Sequence, residues 1–341
     1  MSTIKIDAPP IEAGRTDSSS ALRRLLGDRR LPVAVTAVLL IGMYQFGSYR
    51  YSFDGQVAPN LLINNSYLIV AAVGATFVIL TGGIDLSIGS LVGFSTVLTG
   101  VLVTNHHVPP PVAAVLVLAV GAFGGFLMGC MVHYFKVQPF IATLAGLFLF
   151  RGLSQVLSGE SIPIDDKGVE RLAQFHIPLP GGAFLSLGAA VALAVVAVAA
   201  VVLHLTRFGR RVYAIGGNEQ SAHLLGLPVA KTKITVYAVS GFCSALAGLV
   251  LVLYKQSGDP LSSIGLELDA IAAVVIGGAL LTGGVGYVLG SLLGVLVIGL
   301  IRTIISDEGT LSSWWIKIVT GLLLLLFILM QRAVGARRQR A

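Results

Sequence analysis

About ten apolar stretches follow one another between residues 31 and 331, separated by short polar loops. They fall near 31–48, 61–80, 85–103, 112–132, 139–157, 183–204, 234–254, 266–282, 286–305 and 313–331. Most are close to the ~20 residues a helix needs to cross a ~30 Å hydrocarbon layer. Only helices and closed barrels satisfy their own backbone there, so repeated runs of this length predict an all-α polytopic membrane protein of about ten transmembrane helices. The composition agrees: 55% of residues are hydrophobic and 11% charged, against roughly 25% charged in a soluble domain.

The basic residues set the orientation. With a cytoplasmic N-terminus and ten crossings, 16 of the 23 Lys and Arg fall inside. They include Arg23, Arg24, Arg207, Arg210, Arg211, Lys231, Lys233 and Arg332. The reverse orientation would put the excess outside, so both termini are expected in the cytoplasm. Residues 1–30 are polar and serine-rich, too polar for a signal-peptide core, and are expected to be disordered. Residues 31–332 are expected to form the transmembrane domain, with an outer loop at 158–182 and an inner loop at 206–233, and 333–341 a basic tail. The net charge of +7 is spread over chain ends and loops, which excludes a nucleic-acid face. Cys130 and Cys243 lie in separate apolar runs and read as small buried hydrophobes. No spacing for a zinc site or a phosphate-cradling loop is present, so no cofactor is expected in this chain.

One segment recurs. "AAVGATFVILTGGIDLSIGSLVG" (Ala71–Gly93) aligns without a gap to "AAVVIGGALLTGGVGYVLGSLLG" (Ala272–Gly294), which points to two related halves. Glycine-interrupted apolar segments at matching places in two halves mark a transport pathway. Gly82, Gly83, Gly283 and Gly284 are therefore path or gate candidates. The two copies run in the same direction if the 266–282 run, which starts with Glu267 and Asp269 and is short enough to be a half-helix, crosses; if it does not cross, the parity changes. Asp85 follows the first break and can cap the next helix with its side chain. Such a cap fits a turn at the membrane edge, or a break inside the bilayer facing a watery path. Asn64 and Asn65 shorten the preceding apolar run and are further path candidates.

The inner loop carries a punctuated short helix. Gly216 and Gly217 free the backbone, Asn218 is a good N-cap, Glu219 favours the first turn, Gly226 suits the left-handed terminating position, and Pro228 prevents continuation. Two turns are unstable alone, so Ala222, Leu224, Leu225 and Leu227 must bury against the membrane surface or a groove on a cytoplasmic partner. Arg210 and its basic neighbours would add electrostatic registration.

The chain resembles permease subunits of bacterial ATP-binding-cassette monosaccharide importers of the ribose/xylose/galactoside group. "GATFVILTGGIDLSIGSLVG" at 74–93, "FIATLAGLFLFRGLS" at 140–154, "TRFGRRVYAIGGNEQSAHLLGL" at 206–227 and "ELDAIAAVVIGGALLTGGVG" at 267–286 carry the resemblance. "SGESIPI" at 158–164, "PLPGG" at 178–182 and "GTLSSWWIKI" at 309–318 resemble the second permease of the galactofuranose importer. The resemblance implies an inner-membrane subunit paired with another permease, ATPase subunits holding ATP and Mg below, and a periplasmic sugar-binding protein above. It identifies Asn218–Gly226 as the coupling helix and the outer loop as the binding-protein contact. The rival class is a secondary, ion-coupled transporter, which would want acids at bilayer depth, and the chain offers little beyond Asp85, Glu267 and Asp269.

Overall fold

A computed structural model describes residues 31–338, apart from 52, 54, 311 and 313. The N-terminal segment 1–30 and the end of the basic tail lie outside the described residues. The helices are α1 (Leu31–Tyr51), α2 (Val57–Asn64), α3 (Ser66–Leu80), α4 (Ser87–Gly100, continued by a π-helical turn, Val101–Asn105), α5 (Pro110–His133) and α6 (Pro139–Leu157). The outer loop then forms β1 (Ile162–Pro163), α7 (Lys167–Ala173), β2 (His176–Pro178) and β3 (Phe184–Ser186). There follow α8 (Leu187–Leu205), α9 (Arg207–Gly217), α10 (Glu219–Leu224), α11 (Val229–Lys255), β4 (Ser257–Gly258), α12 (Leu266–Ile276), α13 (Val288–Glu308) and α14 (Trp314–Arg338). The fold is helical as expected. The short strands were not anticipated: β2 and β3 form a hairpin, and β1 pairs with β4 across the top of the bundle.

The expectation of ten long helices needs correcting. Among the described residues eight helices are long and apolar enough to span a membrane, and α2 with α3, bent by 58° at the Asn64–Asn65 junction, makes a ninth. The 266–282 run is the half-helix α12, 11 residues long, about 16 Å at 1.5 Å per residue. It stops early because Gly277 and Gly278 follow Ile276 and Gly278 adopts φ +94°, which ends a helix at little steric cost.

The route of this segment is fixed by its neighbours. Gly258 lies against Thr96, Ser263 against Gly93 and Glu267 against Gly89, so residues 258–267 run antiparallel to α4. Ala273 meets Gly294 and Gly277 meets Gly290, so α12 also runs antiparallel to α13. The segment therefore leads from the end of the bundle where α11 finishes to the end where α13 begins. Its outer part is irregular backbone, seated in a groove of glycines on α4.

Helices α3, α4, α11, α12 and α13 form the buried core, while α1, α6, α8 and α14 expose large apolar side chains around it. The closest packing joins α5 to α11. Gly121, Gly125 and Gly129 turn one face of α5 onto the α11 backbone, which answers with Gly241. Small residues at this spacing let two helix backbones touch.

A half-helix inside the bundle leaves carbonyls without partners, and an unsatisfied carbonyl in hydrocarbon costs several kcal/mol. The first and last helices supply the donors. Thr36 Oγ1 donates to the Ile276 carbonyl at 2.5 Å. Gln331 Nε2 donates to the carbonyls of Val275 and Ala279 at 3.1 and 3.4 Å. At its other end α12 is tied by Asp269, which accepts from Arg302 at 2.6 Å and from Lys317 at 2.8 Å. Residue 32 contacts Gly278 while Gln331 contacts Ala279, so the start of α1 and the end of α14 lie at the same end of the bundle.

Candidate functional site

The two copies of the repeated segment meet each other. Helices α4 and α13 begin at Ser87 and Val288, the same 201-residue offset seen in the sequence. Both α3 and α12 run antiparallel to α13: Thr76 Oγ1 lies 2.7 Å from Ser291 Oγ, and Asn65 packs on Gly299. The copies are thus related by a parallel repeat. Their turns lie face to face, with the Gly284 N–H donating to the Leu80 carbonyl at 2.9 Å. Gly82, Gly283 and Gly284 have φ of +76°, +87° and +74°, a region that favours glycine. A methyl group at Gly283 would fall 2.6 Å from the Gly82 nitrogen.

Asp85 does not face an open path in this chain. Its side chain is 4% exposed. Oδ1 accepts from the Ser87 N–H at 2.9 Å and from Ser87 Oγ at 2.6 Å, and Oδ2 accepts from Ser240 Oγ at 2.7 Å. Ser240 sits close to the midpoint of the 27-residue α11, so Asp85 is held inside the bundle, while the glycine turn before it meets the end of α9. The carboxylate is tolerated because three donors converge on it. The Tyr237 hydroxyl, across Gly83, completes the enclosure. Nothing in the local sequence around Asp85 pointed to Ser240 or Tyr237, which come from a helix 155 positions away.

The two asparagines at the α2–α3 bend diverge. Asn64 is exposed and accepts from the Tyr254 hydroxyl at 3.3 Å. Asn65 is buried and donates to the Leu61 carbonyl at 2.8 Å. Neither lies near the glycine turns. Glu267 is 8% exposed and fills the space left by Gly89.

On the inner loop, Asn218 Oδ1 accepts from the Ser221 N–H at 2.8 Å, capping α10, while its own N–H caps α9 by donating to Ala214. Gly226 takes φ +74°, and its N–H returns to the His223 carbonyl. Glu219 pairs with Lys233 at 2.6 Å. Of the four apolar residues expected to need a covering surface, Ala222 finds one within the chain, packed with Ile215, Val229 and Leu227. Leu224 and Leu225 do not: they are 81% and 79% exposed.

The sequence reading missed α9. Gly216 and Gly217 were expected to free the backbone, but they are the last residues of this helix. The signal was present: Thr206 caps it, accepting from the Gly209 N–H, and Phe208, Val212 and Ile215 recur at helical spacing toward the bundle while Arg207 and Arg210 face out. Near its C-terminal end, the Tyr213 hydroxyl donates to the Gly286 carbonyl at 2.8 Å. Burial, with a smaller contribution from Tyr287, pushes this phenol up to about 12, so it stays protonated and able to donate throughout the physiological range. No group of three or more metal-ligating side chains occurs among the described residues.

The family described as branched-chain amino acid transport system / permease component matches residues 57–328. The inner membrane ABC transporter permease protein YjfF of Escherichia coli (strain K12) is 46% identical over 313 residues, covering 90% of this chain and 93% of that protein. The fructose import permease protein FruG of Bifidobacterium longum (strain NCC 2705) is 39% identical, covering 92% and 93%. The ribose import permease protein RbsC of Bacillus subtilis (strain 168) is 40% identical, covering 82% and 84%. No solved structure matches the chain.

Proposed function

Since the chain belongs to the branched-chain amino acid transport permease family, as a multi-pass inner-membrane permease of an ATP-binding-cassette sugar importer, we propose that it carries galactofuranose as one half of a heterodimeric permease pair. The stretches at 158–164, 178–182 and 309–318 support the cargo and the pairing. The relatives' own sugars, fructose and ribose, keep the class at monosaccharides.

In this reading ATP and Mg reside on a separate ATPase subunit, and the chain converts mechanical work into access. The observation that carries it is the inner loop. A two-turn helix is capped at Asn218 and terminated at Gly226. Ala222 anchors it to the bundle, and Leu224 and Leu225 stand exposed at its tip. That is a knob shaped for a groove on a partner. The basic residues concentrated on this side support a cytoplasmic location for it, together with the start of α1 and the end of α14. The paired glycine turns lie on the same side and form the inner gate. The small outer domain of β1–β4 and α7 receives the sugar-loaded binding protein.

The test is uptake into proteoliposomes holding this chain, its partner permease and the ATPase, with the binding protein supplied outside. Galactofuranose should accumulate only when ATP is enclosed on the ATPase side. Accumulation driven by a proton or sodium gradient without ATP would overturn the reading in favour of a secondary transporter.

A further inference from the structure

Three Gly–Gly pairs from distant parts of the sequence come to one place: Gly82–Gly83 and Gly283–Gly284 from the repeat, and Gly216–Gly217 from the end of α9. Gly216 is wedged between the two turns. A methyl group there would lie 2.5 Å from the Gly284 nitrogen and 2.9 Å from the Leu80 carbonyl carbon. The Gly216 carbonyl in turn is 3.0 Å from where a Gly283 side chain would start. Less than one turn earlier Tyr213 holds the Gly286 carbonyl, and His204 stacks near both Tyr213 and Tyr287. The end of α9 therefore touches the last residue of α3 and the turn before α13 directly, and that turn packs in its own right on Gly82 in the turn before α4.

The connection from this grip to the loop tip is also stiff. Asn218 caps α9 with its backbone and α10 with its side chain, and Ala222 packs on Ile215. A push on Leu224 and Leu225 cannot be absorbed by α10 turning alone. At the far end the contacts are backbone against backbone, with no rotamer to relax. Closely packed interfaces of this kind move as units rather than deform.

We propose that Gly216 and Tyr213 are positioning residues of the transport cycle: through them one displacement of the inner loop shifts the turns of both repeat halves at once. This rests on the reading that an ATPase subunit acts on the loop.

The assembled transporter in proteoliposomes distinguishes the two levels. Gly216→Ala and Tyr213→Phe are compared with Gly217→Ala, since a methyl group at Gly217 meets nothing within 4 Å. Gly216→Ala should lower sugar carried per ATP hydrolysed about tenfold, within the range of ordinary coupling energies. Tyr213→Phe should lower it less. Co-purification of the ATPase and its hydrolysis rate should persist, and Gly217→Ala should match the wild type. Normal sugar-to-ATP ratios in both Gly216→Ala and Tyr213→Phe would overturn the inference alone. Absence of ATP-driven uptake in the wild type would overturn the functional reading and the inference with it.

Should Gly216→Ala fail to assemble, spin labels at the exposed sites of Gly217→Cys and Thr282→Cys, in a Cys130→Ser background, report the same linkage. Their separation should hold constant between nucleotide-free and ATP-trapped states, while that from Thr282→Cys to Val156→Cys changes. A Gly217–Thr282 separation that changes as much as the second would refute rigid transmission.

Discussion

The contact between α5 and α11 gives the most quantitative expectation. A methyl group on Gly125 would lie 2.9 Å from the Tyr237 carbonyl carbon and 3.1 Å from Ala238 Cα, and nearer still to the Tyr237 oxygen. Ordinary contact begins near 3.4 Å. The obstacle is backbone, so the two helices must separate rather than a side chain step aside. Overpacking of this kind costs roughly 1–3 kcal/mol. A mid-helix glycine replaced by alanine also gains about 0.5–1 kcal/mol of helix propensity, which partly masks that cost.

Gly152→Ala on α6 isolates the gain, because a methyl group there meets nothing within 4 Å. In a thermal unfolding series on the purified chain in detergent, Gly152→Ala should leave the midpoint unchanged or slightly raised. Gly125→Ala should lower it by several degrees, at about 2–4 °C per kcal/mol for a chain of this order. Equal midpoints for the two variants would refute the claim that this seam depends on backbone contact. The seam matters beyond stability, since α11 also carries the Ser240 hydroxyl that holds Asp85.

Two further expectations concern single groups. Thr36→Val and Gln331→Leu keep approximate shape but remove the donors to the carbonyls of α12. Each should destabilise the chain by about 1 kcal/mol, read as a lower unfolding midpoint; no change in either would mean that α12 is capped in another way. Leu224→Asp combined with Leu225→Asp should leave the midpoint of the isolated chain unaltered, since both side chains are already exposed. The same pair should abolish co-purification with the ATPase, and retained association and uptake would show that the partner contacts another surface.

How far the sequence could be read depended on the range of the interaction. The loop helix was legible because its signals are local: Asn218, Gly226 and Pro228 act within a few residues of themselves. The repeat was legible because it is a pattern of identities. The missed helix α9 was legible in principle from Phe208, Val212 and Ile215, but two glycines at its end suggested a break. Those glycines do end the helix, at Gly217, and the missing Cβ of Gly216 is what lets the turns of the repeat pack against it.

By itself, then, the chain of apolar runs determined a helical membrane protein, its basic loops an orientation, and its quoted stretches a family of sugar permeases. Hydrophobic length, charge asymmetry and local capping need no knowledge of what packs on what. Only the tertiary structure decided that the eighth run is a half-helix whose carbonyls are satisfied by Thr36 and Gln331. Only there does it emerge that Asp85 is enclosed by a serine from α11, and that three Gly–Gly pairs far apart in sequence share one contact. Those facts depend on donors, acceptors and empty Cβ positions brought together across the bundle, and no local pattern encodes which distant backbone will arrive.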